Sequence, residues 1–245
     1  MSTFLLLGVY GMEVVECGGA LSKNAKAGGQ SHAFMMLSRE ESRPQVRKAA
    51  EVLGVQIAFG DFKGGEVQVD VPSKKQLIRA IRETRPDILI TQDPEHSLHD
   101  LDPDRRPAMT LILESVALAA RDFAVDELNL EPHPVPTIYY MTPHHPNCIV
   151  DISDVWDLKE RAMDQLESQM RFSGRMFQRY YQEEHLRHIV PNWETLIDDY
   201  SRGREVHRQL DRVTHLHNGM GSHSHFAFAE AYRRDGMFHL DQLMP

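Results

Sequence analysis

Cysteine is scarce: Cys17 and Cys148 are the two in the chain, far apart in sequence. That argues against a disulfide framework and fits a reducing cytoplasm. Basic charge is also short. The 27 Lys and Arg are outnumbered by 36 Asp and Glu, giving a formal net charge of −9. A nucleic-acid backbone is therefore not the expected partner, because such binding rests on clustered Lys and Arg. Long hydrophobic runs are missing. The opening run Phe4-Leu5-Leu6-Leu7-Gly8-Val9 is far too short to span a membrane. It follows no basic segment and reads as a first β-strand rather than a signal peptide. Phosphate-binding glycine loops are missing too, with neither a Gly-x-Gly-x-x-Gly nor a Walker pattern. The lone pair Gly18-Gly19 is expected to allow close helix–strand packing. There is no repeat and no low-complexity linker, so one domain over 1–245 is expected.

What is present is alternation. Short apolar runs at 4–9, 31–37, 55–59, 87–91, 137–141 and 148–152 read as strands. Helical spacing appears at 18–27, 40–53, 73–84 and about 107–121, and 154–171 reads as one long amphipathic helix. Between the fourth strand and the next helix lies a polar segment, 92–104, rich in Asp and His and read as a loop. Beyond Phe172 the periodicity weakens, and 172–245 is expected to be a less regular part over a pocket. Such alternation implies an α/β fold: a Rossmann-like, mostly parallel sheet with helices on both faces. Ligands of such sheets bind in loops after the carboxyl ends of strands. The informative segments are then 8–19, 92–105 and 142–147.

Histidine is abundant, with fourteen in the chain. His96 and His99 fall in the distal polar loop and stand as candidates for relocated metal ligands. His215-x-His217 and His223-x-His225 have metal-like spacing if extended, since alternation projects each pair to one side. A flexible, exposed His-rich loop is the favoured reading there. Cys17, just before a helix start, is either a thiol of lowered pKa or a buried structural cysteine, and the buried reading is favoured.

Four stretches carry a resemblance. They are LLLGVYGMEVVECGGALSKNAKAGGQSHAFMML, REESRPQVRKAAEVLGV, IRETRPDILITQDPEHSLHDLDPDRR, and TIYYMTPHHPNCIVDISDVWDLKERAM with FAEAYRR near the end. Together they resemble the PIG-L/LmbE family of de-N-acetylases over nearly the whole chain. The Pro-His-x-Pro and Ala-Glu-Ala-aromatic patterns are most similar to its 4-oxalomesaconate hydratase-like branch. The resemblance implies a zinc hydrolase with two His and one Asp on the metal, a second Asp as general base, and water or substrate at the open positions. These would come from an AHPDDE-like loop after the first strand and an HPDH-like loop after the fourth.

The matched positions depart from that set. Counting forward from the first strand puts Tyr10 at the His position, Met12 at the base and Glu13 at the ligand Asp. Counting back from Gly18-Gly19 puts Val9, Gly11 and Met12 there, and the sequence leaves both registers open. In the second loop, Asp102 and Arg105 stand where the family has its two histidines. A guanidinium offers no lone pair to a metal. No zinc is therefore expected, and Arg105, paired with Glu13 or Asp102, is expected to supply the fixed positive charge. The expected site has Tyr10, Glu13, Asp102, Arg105 and His144 for chemistry. Asp104, His145 and His99 are expected to bind the ligand, with no metal residue and no cofactor. The implied activity is deacetylation, amide hydrolysis or hydration of a small polar or anionic molecule. Three readings stay open: a divergent metal-independent enzyme, a non-catalytic binding protein, and a structural subunit. The last would pair with an active paralogue as a hetero-oligomer, and a homo-oligomer is the other expected assembly.

Overall fold

The computed structural model describes residues 1–235. In chain order the elements are β1 (Thr3–Tyr10), α1 (Glu13–Glu16), α2 (Gly18–Lys26), β2 (Gln30–Leu37), α3 (Arg43–Leu53) and β3 (Gln56–Phe59). Then come α4 (Val71–Thr84), β4 (Ile88–Gln92), α5 (Pro94–His99), α6 (Arg105–Ala119), α7 (Val125–Leu128) and β5 (Thr137–Met141). The chain continues through β6 (Cys148–Asp151), α8 (Trp156–Asp164), α9 (Glu167–Tyr180), α10 (Glu183–Ile189), α11 (Asp199–Asn218) and β7 (Ala229–Arg234).

Among the described residues seven strands form one sheet in the order β3-β2-β1-β4-β5-β7-β6. The pairs among β1 to β5 are parallel, and β7 runs antiparallel to both β5 and β6. The sheet is thus mostly parallel and helix-covered on both faces, as the alternation implied. Side chains alternate along a strand, so β1 serves two cores. Leu6 faces one core, with α1, α2, α3 and α8, while Leu5, Leu7 and Val9 face another with α4 and α6. Each fully buried Leu contributes roughly 1.5–3 kcal/mol. The chain winds from β1 outward through β2 and β3, then crosses to β4 on the other side of β1. The order of strands therefore reverses beside β1, and the rule for such sheets places a ligand crevice at the carboxyl ends of β1 and β4.

Four elements differ from the sequence reading. The 92–104 segment is not all loop, since Asp93 caps α5 by accepting from the amides of Glu95 (2.8 Å) and His96 (3.4 Å), with Pro94 at the first helical position. The long helix over 154–171 is two helices. Leu166 leaves the helical conformation (φ −86°, ψ 55°) and is buried, so the break feeds an apolar side chain into the core. The stretch after Phe172 is largely helical over the described residues. Its helix α11 packs so closely on α9 that a Cβ on Gly203 would lie 1.9 Å from the Met170 carbonyl oxygen. His215 and His217 lie within α11 rather than in an extended segment, and His215 is buried against Trp156, with ring centres 5.4 Å apart.

Strand β7 carries the Ala229-Glu230-Ala231-Tyr232 motif into the middle of the molecule. Glu230 is 3% exposed. It accepts from the backbone amides of Gly19 and Ala20 (both 2.8 Å), from Lys159 Nζ (2.9 Å) and from Tyr232 Oη (2.8 Å). A carboxylate at a helix start answers the unpaired amides of α2 and the positive end of its dipole. Gly19 permits the approach, since a Cβ there would lie 2.4 Å from Ile152 and 2.8 Å from Glu230 Oε1. Among the described residues, no helix is long and apolar enough to cross a membrane.

Candidate functional site

The crevice beside β1 collects side chains from two segments. The first is the end of β1 and its turn into α1. Glu13 opens α1, is 1% exposed, and folds back so that Oε2 accepts from the Val9 amide at 2.7 Å. The second runs from the end of β4 to the start of α6. Within it, Asp100 Oδ1 accepts from the Asp102 amide (2.8 Å) and Asp102 Oδ1 from the Asp104 amide (2.9 Å). These successive Asx turns fix the loop that delivers Arg105.

Arg105 bridges the two segments. Its Nη1 lies 3.0 Å from Glu13 Oε1 and also donates to Gln92 Oε1, while Nε lies 3.1 Å from Asp100 Oδ2. The guanidinium carbon sits 5.1 Å from the Tyr10 ring centre. Tyr10 Oη donates to Asp102 Oδ2 at 2.7 Å. The expected partnership of Arg105 with a carboxylate is thus made with Glu13, and the second carboxylate is Asp100; Asp102 serves Tyr10 instead. Tyr10, Glu13 and Arg105 converge. Neither Asp100 nor Gln92 was singled out by sequence reasoning, because both lie in segments without periodicity.

Electrostatics follow from burial and pairing. Burial pushes the Glu13 carboxyl up, opposed by Arg105 and the Val9 amide. Burial works against the Arg105 charge, but Glu13, Glu16 and Asp100 outweigh it and hold its pKa above the ordinary value. Glu16, one turn after Glu13, is pushed up to about 7 by burial and by the neighbouring Glu13 charge. Burial and the hydrogen bond to Asp102 raise the Tyr10 phenol.

The remaining expected residues divide. Asp104 is 4% exposed, and both its oxygens accept from the Gly65 amide at 2.7 and 2.9 Å, which ties the 60–70 loop to α6. His144 reaches the distal loop, its ring centre 5.5 Å from that of His96 and 6.2 Å from that of His99. His145 is exposed. Cys17 is buried, and burial pushes its thiol well above the usual range, in keeping with a structural cysteine. His223 and His225 are exposed, outside the crevice cluster. As the side chains stand, no three His, Cys, Asp or Glu among the described residues are arranged to hold a metal.

Comparisons with known proteins agree with this fold. No family model matches the sequence. Diacetylchitobiose deacetylase of Thermococcus kodakarensis is 35% identical over 127 residues, covering 50% of this chain and 47% of that protein. The fold is of the PIG-L/LmbE type. The chain spans about half the length of this curated relative. Among solved structures, the N,N'-diacetylchitobiose deacetylase of Pyrococcus horikoshii superposes with a TM-score of 0.69 at 22% identity, covering 96% of this chain and 84% of that one. The 4-carboxy-2-hydroxymuconate hydratase of Pseudomonas putida superposes at 0.68 with 21% identity over the whole of both chains. A conserved protein of Thermus thermophilus does so at 0.73 with 18% identity, again over both whole chains. At these identities the solved structures establish the shared PIG-L/LmbE fold.

Proposed function

We propose that this PIG-L/LmbE-type chain acts on a small polar molecule at the crevice beside β1, with the Arg105 guanidinium in place of a zinc ion. The observation that carries the reading is the Arg105–Glu13 contact at 3.0 Å. A metal at that point would need lone pairs. The matched side chains offer a phenol, the carboxylates of Glu13 and Asp102 already engaged by Arg105 and Tyr10, and a guanidinium that stays protonated. The residues do not fit zinc there.

The chemistry left to the chain is acid–base and electrostatic. Glu16, titrating at about 7 beside the Arg105–Glu13 pair, is suited to hold or release a proton at neutral pH. Arg105 stabilises negative charge that develops on a carbonyl or enol oxygen, as fixed cations do in dry sites. Such a pair suits hydration or hydrolysis. The related names point to two substrate classes, N-acetylated amino sugars and unsaturated hydroxy-carboxylates. The apolar Met12 at the base position of the forward register favours a second reading, in which the pocket binds such a molecule without turning it over.

Zinc titration of the wild type beside Glu13→Gln tests the reading. Identical isotherms support it, and stoichiometric zinc lost in Glu13→Gln overturns it. A screen of the two substrate classes, with Glu16→Gln as control, separates turnover from binding alone.

A further inference from the structure

The guanidinium of Arg105 has few hydrogens left for a ligand. Both protons of Nη1 are engaged, one by Glu13 Oε1 at 3.0 Å and one by Gln92 Oε1. Nε lies 3.1 Å from Asp100 Oδ2. Nη2 makes no hydrogen bond among the described residues, yet it is not sealed in. The side chain is 19% exposed, and this nitrogen is reached by solvent. A planar guanidinium offers a carboxylate two forks, Nη1 with Nη2 and Nε with Nη2. Each fork here has lost one arm, the first to Glu13 and Gln92 and the second to Asp100.

Charge acts in the same sense. Arg105 is one cation, and two carboxylates touch it. Glu13 is buried, whereas the Asp100 side chain is 26% exposed and is the partner on the solvent side. A carboxylate arriving at Nη2 therefore meets a like charge at close range, in a partly dry site where such repulsion is stronger than in water. A carbonyl or hydroxyl oxygen meets no such charge and needs only one donor.

We propose that Asp100 is a specificity-determining residue of the crevice. It blocks the second fork and repels carboxylates, so that Arg105 admits a neutral ligand presenting one carbonyl or hydroxyl oxygen to Nη2. The proposal rests on the reading of Arg105 given above, and it narrows the small polar or anionic molecule to a neutral polar one. Discrimination then comes from a repulsive element as well as from an attractive one. The loop holds Asp100 in place for this. Its Oδ1 accepts from the Asp102 amide at 2.8 Å, which leaves Oδ2 to face Arg105. An Asn at this position keeps the turn through its carbonyl oxygen, removes the charge, and withdraws the acceptor from Nε.

Acetamide and acetate, alike in shape and different in charge, are the probes, titrated on the full chain by NMR. The wild type is expected to bind acetamide, with movement of the Arg105 Nε–H resonance, and to bind acetate at least about tenfold more weakly. Asp100→Asn is expected to bind acetate at least about tenfold more tightly than the wild type does, a gain that loss of fold cannot mimic. A second measurement needs no variant. Raising NaCl from about 0.02 to about 0.2 M is expected to narrow the gap between the probes in the wild type, because screening relieves a repulsion. Equal wild-type affinity for the two probes, no gain of acetate binding in a folded Asp100→Asn, or a gap that widens with salt overturns the proposal and leaves the reading of Arg105 standing. Acetamide binding that leaves the Arg105 resonance unmoved, or no binding of either probe, overturns both.

Discussion

Arg105 and Glu13, 92 residues apart in sequence, meet as a nearly dry ion pair 3.0 Å long at the carboxyl ends of β1 and β4. Removing one partner leaves the other charge buried without compensation. Arg105→Ala is expected to lower unfolding free energy by about 3 kcal/mol. Replacing both partners with apolar residues of similar size, Glu13→Leu with Arg105→Met, is expected to recover most of that loss. Urea denaturation of the single and double variants measures both.

Glu230 sits where four donors point. Glu230→Ala leaves Lys159 buried without its carboxylate and the first amides of α2 unanswered, a loss expected to exceed about 3 kcal/mol. Lys159→Met keeps three of the donors on Glu230 and is expected to cost less. Equal losses in thermal and urea unfolding would refute this account of the α2 anchor.

Glu16 makes the fold sensitive to rising pH. Its pKa is raised from 4.5 to about 7 in the native state. Below pH 4.5 the group is protonated in both states and carries no penalty. As pH rises through 7, the unfolded chain has already gained from ionisation and the folded chain resists it, so stability is lost across that window. Glu16→Gln is therefore expected to be more stable than the wild type at pH 8 and equal to it at pH 4, by urea unfolding at each pH.

His207 and His215 make it sensitive to acid. Burial is the main cause in both, helped by the Arg204 charge for His207 and by Lys159 for His215, and each falls to about 4 from 6.5. Their contribution is complete above pH 6.5 and is lost as pH falls toward 4, because the unfolded chain takes up protons first. Each adds up to about 1.4 kcal/mol per pH unit to the slope of stability in that window. His207→Gln and His215→Gln are each expected to remove one proton from the slope, as read from unfolding free energies between pH 4 and 7.

The parts of this molecule that were legible in sequence are those written as periodicity. β1, β2 and β5 are apolar runs of the right length, and α3 and α4 carry apolar residues at helical spacing ended by Gly54 or Arg85 in the left-handed conformation. α5 carried its own start signal in Asp93-Pro94, but the surrounding polar residues hid it. β7 has a glutamate where an apolar residue would mark a strand, and only the donors that converge on Glu230 explain why it is tolerated. The break at Leu166 has no glycine or proline to announce it; tertiary packing decides it. In the site, the positions of Tyr10, Glu13 and Arg105 came from the motif, while Asp100 and Gln92 are defined by the reach of a guanidinium through space. The meeting of His144 with His96 and His99 depends on how two loops fold toward each other, which no local pattern encodes.

Synthesis order gives the Glu230 anchor a further meaning. Gly19 leaves the ribosome 211 residues before Glu230. Until β7 emerges, the start of α2 and the ammonium of Lys159 have no carboxylate to close on, and the two antiparallel pairings of β7 are unmade. A nascent chain halted ahead of Glu230 is therefore expected to hold a sheet whose central strands are paired but whose helix α2 is untethered. β7 is the clasp of the described fold, so this anchor is expected to close late in synthesis rather than progressively from the amino end.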